Sequence, residues 1–282
     1  MDINLNLPKT IVFHPGIGKT ATSAIQKIGL GLPTKEKNKA CFSPFGVYGY
    51  AHNYFASNHP GYKEDIFQKE WQQLLNFAKS REASTVVSSE FLIRDKPSHI
   101  KYLIESAKEA GLDVKVVVSV RNYVDYLISA FLQGVKVQWG IRNDDSIFTF
   151  CERELDNIRM NRLADHWARH LGDENVFLID YDKDRSVIVE KFFDLFGITI
   201  EDGKPKKETV NSSICLEAFP MIRHFDRVSA DPEQRQEFIA YVCSLSFNST
   251  FKTNVENRVK NQIVGAAFTH DIDILSKRYT WV

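Results

Sequence analysis

Fourteen residues near the start of the chain combine a strand, a tight turn and the beginning of a helix. They read Thr10-Ile11-Val12-Phe13-His14-Pro15-Gly16-Ile17-Gly18-Lys19-Thr20-Ala21-Thr22-Ser23. The first five residues are an apolar run typical of a buried strand, and helical periodicity continues from about Thr20 to Ile28. The two glycines between them allow a tight turn, so that the first N–H groups of the helix point outward.

The turn has the composition of an anion-binding loop. Helix-start N–H groups and the helix dipole favour an anion, and Lys19 adds a positive charge. The predicted members of this phosphate loop are Gly16, Gly18, Lys19, Thr20, Ala21, Thr22 and Ser23. A plain strand–turn–helix connection is the alternative, but a lysine with three hydroxyls exceeds what helix capping needs. A Walker A loop would place a glycine at Phe13, inside the strand, so this loop is shorter than that of an ATPase or GTPase.

Strand and helix patterns alternate along the rest of the first two hundred residues. We predict further strands at 85–89, 114–120 and 175–180, and helices at 98–110, 123–133, 148–170 and 187–196. Continuous apolar strands that alternate with helices predict an α/β fold, with a central parallel sheet flanked by helices on both faces. Ligands of such sheets bind at the carboxyl ends of the strands.

Two regions depart from this alternation. Residues 31–62 are rich in Gly, Pro, Tyr, Phe, Asn and His, and so long a connection in a compact domain is usually functional or disordered. Its aromatic residues favour function. Residues 201–282 begin with a basic patch of Lys204, Lys206 and Lys207 and then have a mostly helical pattern. We expect this part to pack on the core, so that 1–282 forms a single domain.

Composition limits the class of protein. The 36 basic and 36 acidic residues cancel, which argues against a general nucleic-acid binder or a polybasic membrane binder. With 43% hydrophobic residues, the chain can bury a substantial core. No signal peptide or membrane-spanning run is evident. The four cysteines form no C-x-x-C pair, so we expect no metal site and a reducing, cytoplasmic location.

A second motif follows the most apolar strand of the chain. Val116-Val117-Val118-Ser119-Val120 leads into Arg121, and Ser129 stands eight residues further on, two helical turns into the next helix. Ser129 can therefore point back toward a ligand at the strand end. Arg121 offers a planar fork of donors for phosphate, although a strand-end arginine can also be a simple ion-pair partner.

The two motifs together resemble the PAPS-dependent sulfotransferase family, in particular its bacterial carbohydrate sulfotransferases. Residues 14–26 resemble the family's loop for the 5′-phosphosulfate, and Arg121 with Ser129 resembles its 3′-phosphate site, at the same interval. The family usually has glycine at the position of Ala21, whose Cβ demands either a negative φ or backbone strain. It commonly has Asp-Pro where this chain has Asn122-Tyr123.

This resemblance implies a P-loop-type sulfotransferase fold and further site residues. Glu90, in Ser88-Ser89-Glu90 after the second strand, would be the base that takes the acceptor's proton; an ion-pair carboxylate is the alternative. His52 would be the other candidate base, although a loop histidine is often simply polar surface. Asn211 and Ser212, in Asn211-Ser212-Ser213, would close over the nucleotide; a plain N-cap is the alternative.

A ligand with phosphate at both its 5′ and 3′ ends fits the two motifs, whereas an ATP enzyme would not need the second site. The resemblance therefore implies in-line transfer of a sulfuryl group from PAPS, leaving PAP, to a hydroxyl or amine of a carbohydrate or glycolipid, without a metal. Flat faces for the acceptor could come from Tyr48, Tyr50, Tyr54, Phe55, Tyr62 and Trp139. A P-loop kinase for a nucleotide or small molecule, and a non-catalytic nucleotide-binding protein, are the alternatives.

Overall fold

The structure of the protein is a computed structural model that describes residues 3–138, 140, 142, 145–200, 214–229, 231–245 and 250–282. The strands in these ranges are β1 (Thr10–His14), β2 (Cys41–Phe42), β3 (Thr85–Ser88), β4 (Asp113–Val120), β5 (Val176–Asp180) and β6 (Thr280–Trp281). The first helices are α1 (Thr22–Gly31), α2 (Glu64–Lys79), α3 (Pro97–Glu109), α4 (Tyr123–Val137), α5 (Ile147–Leu155) and α6 (Met160–Leu171). They are followed by α7 (Tyr181–Asp184), α8 (Ile188–Asp194), α9 (Phe219–Val228), α10 (Pro232–Ser244), α11 (Thr250–Arg258), a π-helical segment (Val259–Val264) and α12 (Ala267–Arg278).

The six strands form one sheet in the order β2-β3-β1-β4-β5-β6, and every pairing is parallel. β1 lies in the middle, where Phe13 pairs with Val87 of β3 on one side and with Val116 of β4 on the other. The predicted α/β fold with a central parallel sheet is confirmed.

Helices cover both faces of the sheet because successive side chains of a strand point to opposite faces. The Phe13 ring lies 6.3 Å from the ring of Trp71 in α2 and 5.0 Å from that of Trp167 in α6. Its neighbour Val12 belongs to the core cluster on the other face, together with Ile25 of α1 and Phe192 of α8. All six of these side chains are buried.

One predicted helix is wrong. Residues 148–170 form two helices, α5 and α6, separated by a 3-10 turn at Asp156–Ile158. Aspartate and asparagine favour turns and caps because their side chains compete for backbone hydrogen bonds. Arg159, with φ −58° and ψ 105°, then leaves the helical region. The two outer strands, β2 and β6, were not predicted. Each has only two residues, which is too short to show an alternation of apolar and polar residues.

The chain divides into two compact units. The first consists of Met1–Arg121, Met160–Glu201 and Asp271–Val282, and it contains the whole sheet. The second consists of Asn122–Arg159 and Asp202–His270, and its described elements are helical. Organisation as a single domain over 1–282 stays a prediction. Along the described stretches, no helix is both long and apolar enough to cross a membrane.

In the second unit, aromatic contacts and a half-buried ion pair hold the helices together. The Phe131 ring of α4 lies 5.4 Å from that of Phe150 in α5 and 4.8 Å from that of Phe219 in α9. Arg235 of α10 donates to Asp226 of α9 at 2.7 Å. The predicted helical character of the C-terminal part holds for its described residues.

Candidate functional site

The phosphate loop has an unusual backbone between β1 and α1. Lys19 and Ala21 have positive φ values of 69° and 61°, while Thr20 between them has a negative φ. Residues whose φ alternates in sign turn their N–H groups into one concavity, which binds anions. Ala21 therefore bears the backbone strain that its Cβ implied, at a cost of about 1–2 kcal/mol.

Two threonine hydroxyls of the loop are engaged within the protein. Thr20 is fully buried, and its Oγ1 donates to the carbonyl of Ile17 at 2.6 Å, which closes the loop on itself. The Oγ1 of Thr22 donates to Oε1 of Glu90. Ser23 is exposed at the start of α1. The backbone N–H groups of Thr22 and Ser23, as the first in the helix, have no acceptor in the described part of the chain and remain available to an anion.

Both loop glycines stand where neighbours approach closely. A Cβ at Gly16 would collide with the methyl group of Thr22, and a Cβ at Gly18 would lie 3.2 Å from Oε2 of Glu90. The glycines therefore let Thr22 and Glu90 pack against the loop backbone, as well as allowing the turn.

Arg121 joins the two predicted phosphate motifs. It follows β4, is only 8% exposed, and donates from Nη1 to the carbonyl oxygen of Lys19 at 2.6 Å. Its guanidinium lies over the ring of Tyr181, 4.9 Å from the ring centre. Its Nε is buried and has no hydrogen-bond partner among the described residues. A buried charged donor without a partner is costly, and an anion would satisfy it.

The topology of the sheet explains why these motifs meet. After β1 the chain moves to one side of the sheet, to β2 and β3, whereas after β4 it moves to the other side, to β5 and β6. The carboxyl ends of β1 and β4 thus border a topological switch point, where open α/β sheets bind their ligands. The phosphate loop and Arg121 lie at this point.

Glu90 also lies at the edge of the sheet where the strands have their carboxyl ends. It begins the 3-10 turn Glu90–Arg94 that follows β3, and it is half-buried. Its carboxylate contacts the loop through Thr22 and lies beside Gly18. The structure therefore brings Glu90 together with the phosphate loop, in reach of a group bound there.

His52 has a different environment, fully buried beneath this edge. Its Nδ1 accepts from the N–H of Ser88 at 3.0 Å, so its Nε2 carries the hydrogen and donates to the carbonyl of Ser43 at 3.0 Å. Burial lowers the pKa of His52 to about 4, against the weaker opposing effect of the nearby backbone carbonyls of Ser43 and Ser88. This geometry favours Glu90 over His52 as the base, and the role of either residue stays a prediction.

A polar cluster under the loop was not anticipated from the sequence. His14 is buried at the end of β1, and its Nδ1 lies 2.9 Å from Oγ of Ser88, which also accepts from Nε2 of Gln26 at 3.1 Å. Burial lowers the pKa of His14 to about 3. The available signal was a set of polar residues inside otherwise apolar elements, which need partners when buried.

The aromatic side chains of residues 31–62 differ in their exposure to solvent. Phe55 is fully buried, Tyr54 and Tyr62 are half-buried, and Tyr48 and Tyr50 are exposed. Phe55 therefore belongs to the core and offers no face to a ligand, contrary to the prediction.

Other predicted site residues are not placed by the described structure. Ser129 lies in α4, in the second unit, and its part in the site stays a prediction. Asn211, Ser212, the basic patch and Trp139 lie outside the described residues. In the described ranges, no group of three or more His, Cys, Asp or Glu side chains is arranged to hold a metal ion.

Solved structures with folds similar to that of this chain include two sulfotransferases. A sulfotransferase from Alicyclobacillus acidocaldarius is 14% identical with a TM-score of 0.44, over 68% of this chain and 81% of that one. The sulfotransferase domain from the curacin biosynthetic pathway is 11% identical with a TM-score of 0.43, over 98% of this chain and all of that one. No family model and no curated protein matches the sequence. Likenesses with TM-scores of 0.44 and 0.43 do not assign a function to this chain.

Proposed function

We propose that this chain is a PAPS-dependent sulfotransferase that sulfates a hydroxyl (or amine) of a carbohydrate or glycolipid. One observation carries the proposal: the 2.6 Å hydrogen bond from Arg121 to the Lys19 carbonyl at the switch point. It unites a short phosphate loop with a second cationic group, and a ligand with phosphate at two ends needs both.

The residues fit such a ligand. The loop offers N–H groups in a concavity and the side chain of Lys19 for the 5′ end. Arg121, whose buried Nε lacks a partner among the described residues, would hold the 3′-phosphate with charge-assisted hydrogen bonds. Ser129, Asn211 and Ser212 are the further residues proposed for the nucleotide. PAPS would supply the sulfuryl group as a co-substrate.

The proposed chemistry is in-line displacement. The S–O bond to the phosphate breaks as a new S–O bond to the acceptor oxygen forms, and the acceptor's proton passes to a base. Glu90 would take that proton, and Lys19 would stabilise the charge left on the phosphate. As in phosphoryl transfer, most of the catalysis would come from positioning and electrostatic stabilisation. We propose a cytoplasmic location, peripheral to a membrane if the acceptor is a glycolipid.

Two measurements test the proposal. First, PAP is expected to raise the Tm of the protein, because a ligand at 100 times its Kd stabilises by about 2.7 kcal/mol. A Tm raised by ATP with Mg²⁺ and not by PAP would instead identify a kinase. Second, labelled PAPS is expected to transfer its sulfuryl group to members of a panel of bacterial glycans and glycolipids. Binding of PAP without transfer to any of them would mean a non-catalytic nucleotide-binding protein.

A further inference from the structure

We infer that Tyr48 and Tyr50, at the tip of a hairpin formed by residues 47–51, provide an open stacking face that selects a neutral sugar ring as the acceptor. The inference rests on the proposed sulfuryl transfer and adds the residues that recognise its acceptor. We call these five residues the aromatic hairpin.

The exposure of the two rings is the first observation. Tyr48 is 49% exposed and Tyr50 is 65% exposed, although both are large side chains on a turn that also carries apolar contacts to the core. A single exposed aromatic ring is ordinary on a protein surface. Two exposed rings on one turn are a typical arrangement for ligand contact.

The aromatic hairpin is held rigidly. The N–H of Tyr48 donates to the carbonyl of Ala51 at 2.9 Å, and Nδ2 of Asn53 donates back to the carbonyl of Tyr48 at 3.2 Å. Directly after the hairpin, the N–H of His52 donates to the carbonyl of Ser88 at 2.8 Å, which ties it to the end of β3. A backbone that is already held in place loses little conformational entropy when its side chains bind a ligand.

Side-chain contacts link the hairpin to residues near Glu90 and to the helix that follows the phosphate loop. The Tyr48 ring is 5.2 Å from that of His59, and the His59 ring is 4.7 Å from that of Phe91, the residue that follows Glu90. On its other side, the Tyr50 ring lies 5.1 Å from Nζ of Lys27 in α1, the helix that begins at the phosphate loop. The hairpin thus connects the side of Glu90 with the side of the nucleotide loop.

The polar group beside the Tyr48 ring is the imidazole of His59. Nδ1 of His59 accepts from the N–H of Gly61 at 3.0 Å, which leaves Nε2 of the neutral ring as a donor. Burial lowers the pKa of His59, which favours the neutral ring. Together with the tyrosine hydroxyls, this donor suits a rim of hydroxyl groups.

Exposed aromatic rings beside hydrogen-bonding groups suit a sugar better than the other classes of acceptor. A sugar ring has an apolar C–H face and a hydroxyl rim, so one open aromatic face and a few neutral polar groups serve it well. A phenol or steroid gains most when both of its faces leave water. A heavily sulfated polymer would need a broad basic surface. At the hairpin, the cation in contact with Tyr50 is a single lysine, Lys27, and its ammonium group lies over the Tyr50 ring.

Transfer kinetics with matched variants test the inference. Labelled PAPS would be offered with neutral methyl glycosides, a simple phenol and a heavily sulfated glycan. Tyr48→Ala and Tyr50→Ala are expected to raise KM for the neutral glycosides about tenfold, the equivalent of ~1.4 kcal/mol. Their kcat and their Kd for PAP are expected to stay at wild-type values. Tyr48→Phe keeps the ring and is expected to keep most of the affinity. Tyr241→Ala is the control, since Tyr241 is 58% exposed on α10 of the second unit.

The outcomes separate this inference from the proposed function. If the wild-type protein sulfates neutral glycosides and the hairpin variants behave like Tyr241→Ala, the inference is wrong and the proposed function stands. A preference for the phenol or the sulfated glycan would also overturn it. If no acceptor is sulfated, the proposed function fails, and ligand-observed NMR of methyl glycosides then decides the inference. Binding that is lost in Tyr48→Ala but not in Tyr241→Ala supports it, and equal signals in the three proteins overturn it.

Discussion

Nη1 of Arg121 donates to the carbonyl oxygen of Lys19 at 2.6 Å, across 102 positions of the sequence. The arginine at the end of one central strand therefore orients the backbone of the loop that follows the other. The same bond turns the carbonyl of Lys19 toward the guanidinium of Arg121, so that the N–H groups of the neighbouring residues can face an anion. This one contact holds Arg121 against the backbone of the phosphate loop.

Replacing Arg121 is expected to weaken nucleotide binding more than any other single change in the site. Arg121→Ala removes a charged, partly unsatisfied donor, and hydrogen bonds to charged groups contribute about 1.5–3 kcal/mol, or roughly 10- to 100-fold in Kd. Arg121→Lys keeps the charge without the planar fork and is expected to be intermediate. Titration calorimetry with PAP measures both. Arg227→Ala, an exposed arginine of α9, is the control, and an equal loss in that variant would contradict the prediction.

Removal of the Lys19 charge is expected to abolish sulfuryl transfer. Because Lys19 has a φ of 69°, Lys19→Gly relieves strain while it removes the ammonium group, whereas Lys19→Ala keeps the strain. Both variants are expected to lose transfer from labelled PAPS, with the Tm of Lys19→Gly at or above that of Lys19→Ala. Activity retained in either variant would show that Lys19 does not stabilise the leaving phosphate.

Glu90→Gln is expected to lower turnover about 10²- to 10⁴-fold while the Kd for PAP stays unchanged, because general-base catalysis contributes on that order. The amide oxygen can still accept from Thr22, so the loop contact survives. The measurement is kcat at saturating PAPS. Wild-type turnover in Glu90→Gln, combined with a loss in a folded His52→Gln protein, would move the role of base to His52.

The stability of the protein is expected to fall as the pH drops from about 6.5 toward 4. His52 and His14 have pKa values of about 4 and about 3 in the fold, against 6.5 for a free histidine. In that window the unfolded chain binds protons that the folded protein does not, so the free energy of unfolding rises with pH and levels off above 6.5. Two such groups give a slope of up to ~3 kcal/mol per pH unit.

Urea unfolding at several pH values measures this slope. His52→Gln is expected to remove about half of it, whereas His270→Gln, at an exposed position of α12, is expected to leave it unchanged. A free energy of unfolding that is flat between pH 4 and 6.5 would show that the two histidines are not buried as neutral groups.

Gly49→Ala is expected to destabilise the protein by about 1–2 kcal/mol, because Gly49 has a φ of 69° at the turn of the aromatic hairpin. Nothing lies within 4 Å of the added methyl group, so the loss would come from backbone strain alone. Gly31→Ala, at the end of α1, is the matched control: its Cβ is equally unobstructed and its φ is not positive. Thermal unfolding distinguishes the two, and equal Tm values would mean that the turn tolerates a side chain.

The main strands and the phosphate loop were predictable because each has a strong local signal. Continuous β-branched runs produced β1, β3, β4 and β5 within a residue or two, and glycines with a lysine marked the loop. The break of residues 148–170 into two helices was not visible, since apolar periodicity continues across Asp156. The strands β2 and β6 exist only because β3 and β5 offer them hydrogen bonds, which is information that a two-residue segment does not carry.

The residues of the site were only partly predictable, because the surroundings of some of them depend on tertiary contacts. Glu90 and Arg121 could be assigned to the carboxyl edge because their strands end there. The burial of His52, which separates it from Glu90 as a candidate base, depends on contacts with Ser43 and Ser88. Such tertiary contacts have no pattern in the sequence, and the same holds for the pairing of His14 with Ser88.

The contact between Thr22 and Glu90 has a thermodynamic consequence for the phosphate loop. With Arg121 bound to Lys19 on the side of β4 and Glu90 bound to Thr22 on the side of β3, the loop is restrained from both flanking strands. The entropy of ordering its backbone is therefore lost when the protein folds, not when the anion arrives. An anion that enters the loop meets N–H groups already in place, and its binding free energy is reduced little by reorganisation of the protein.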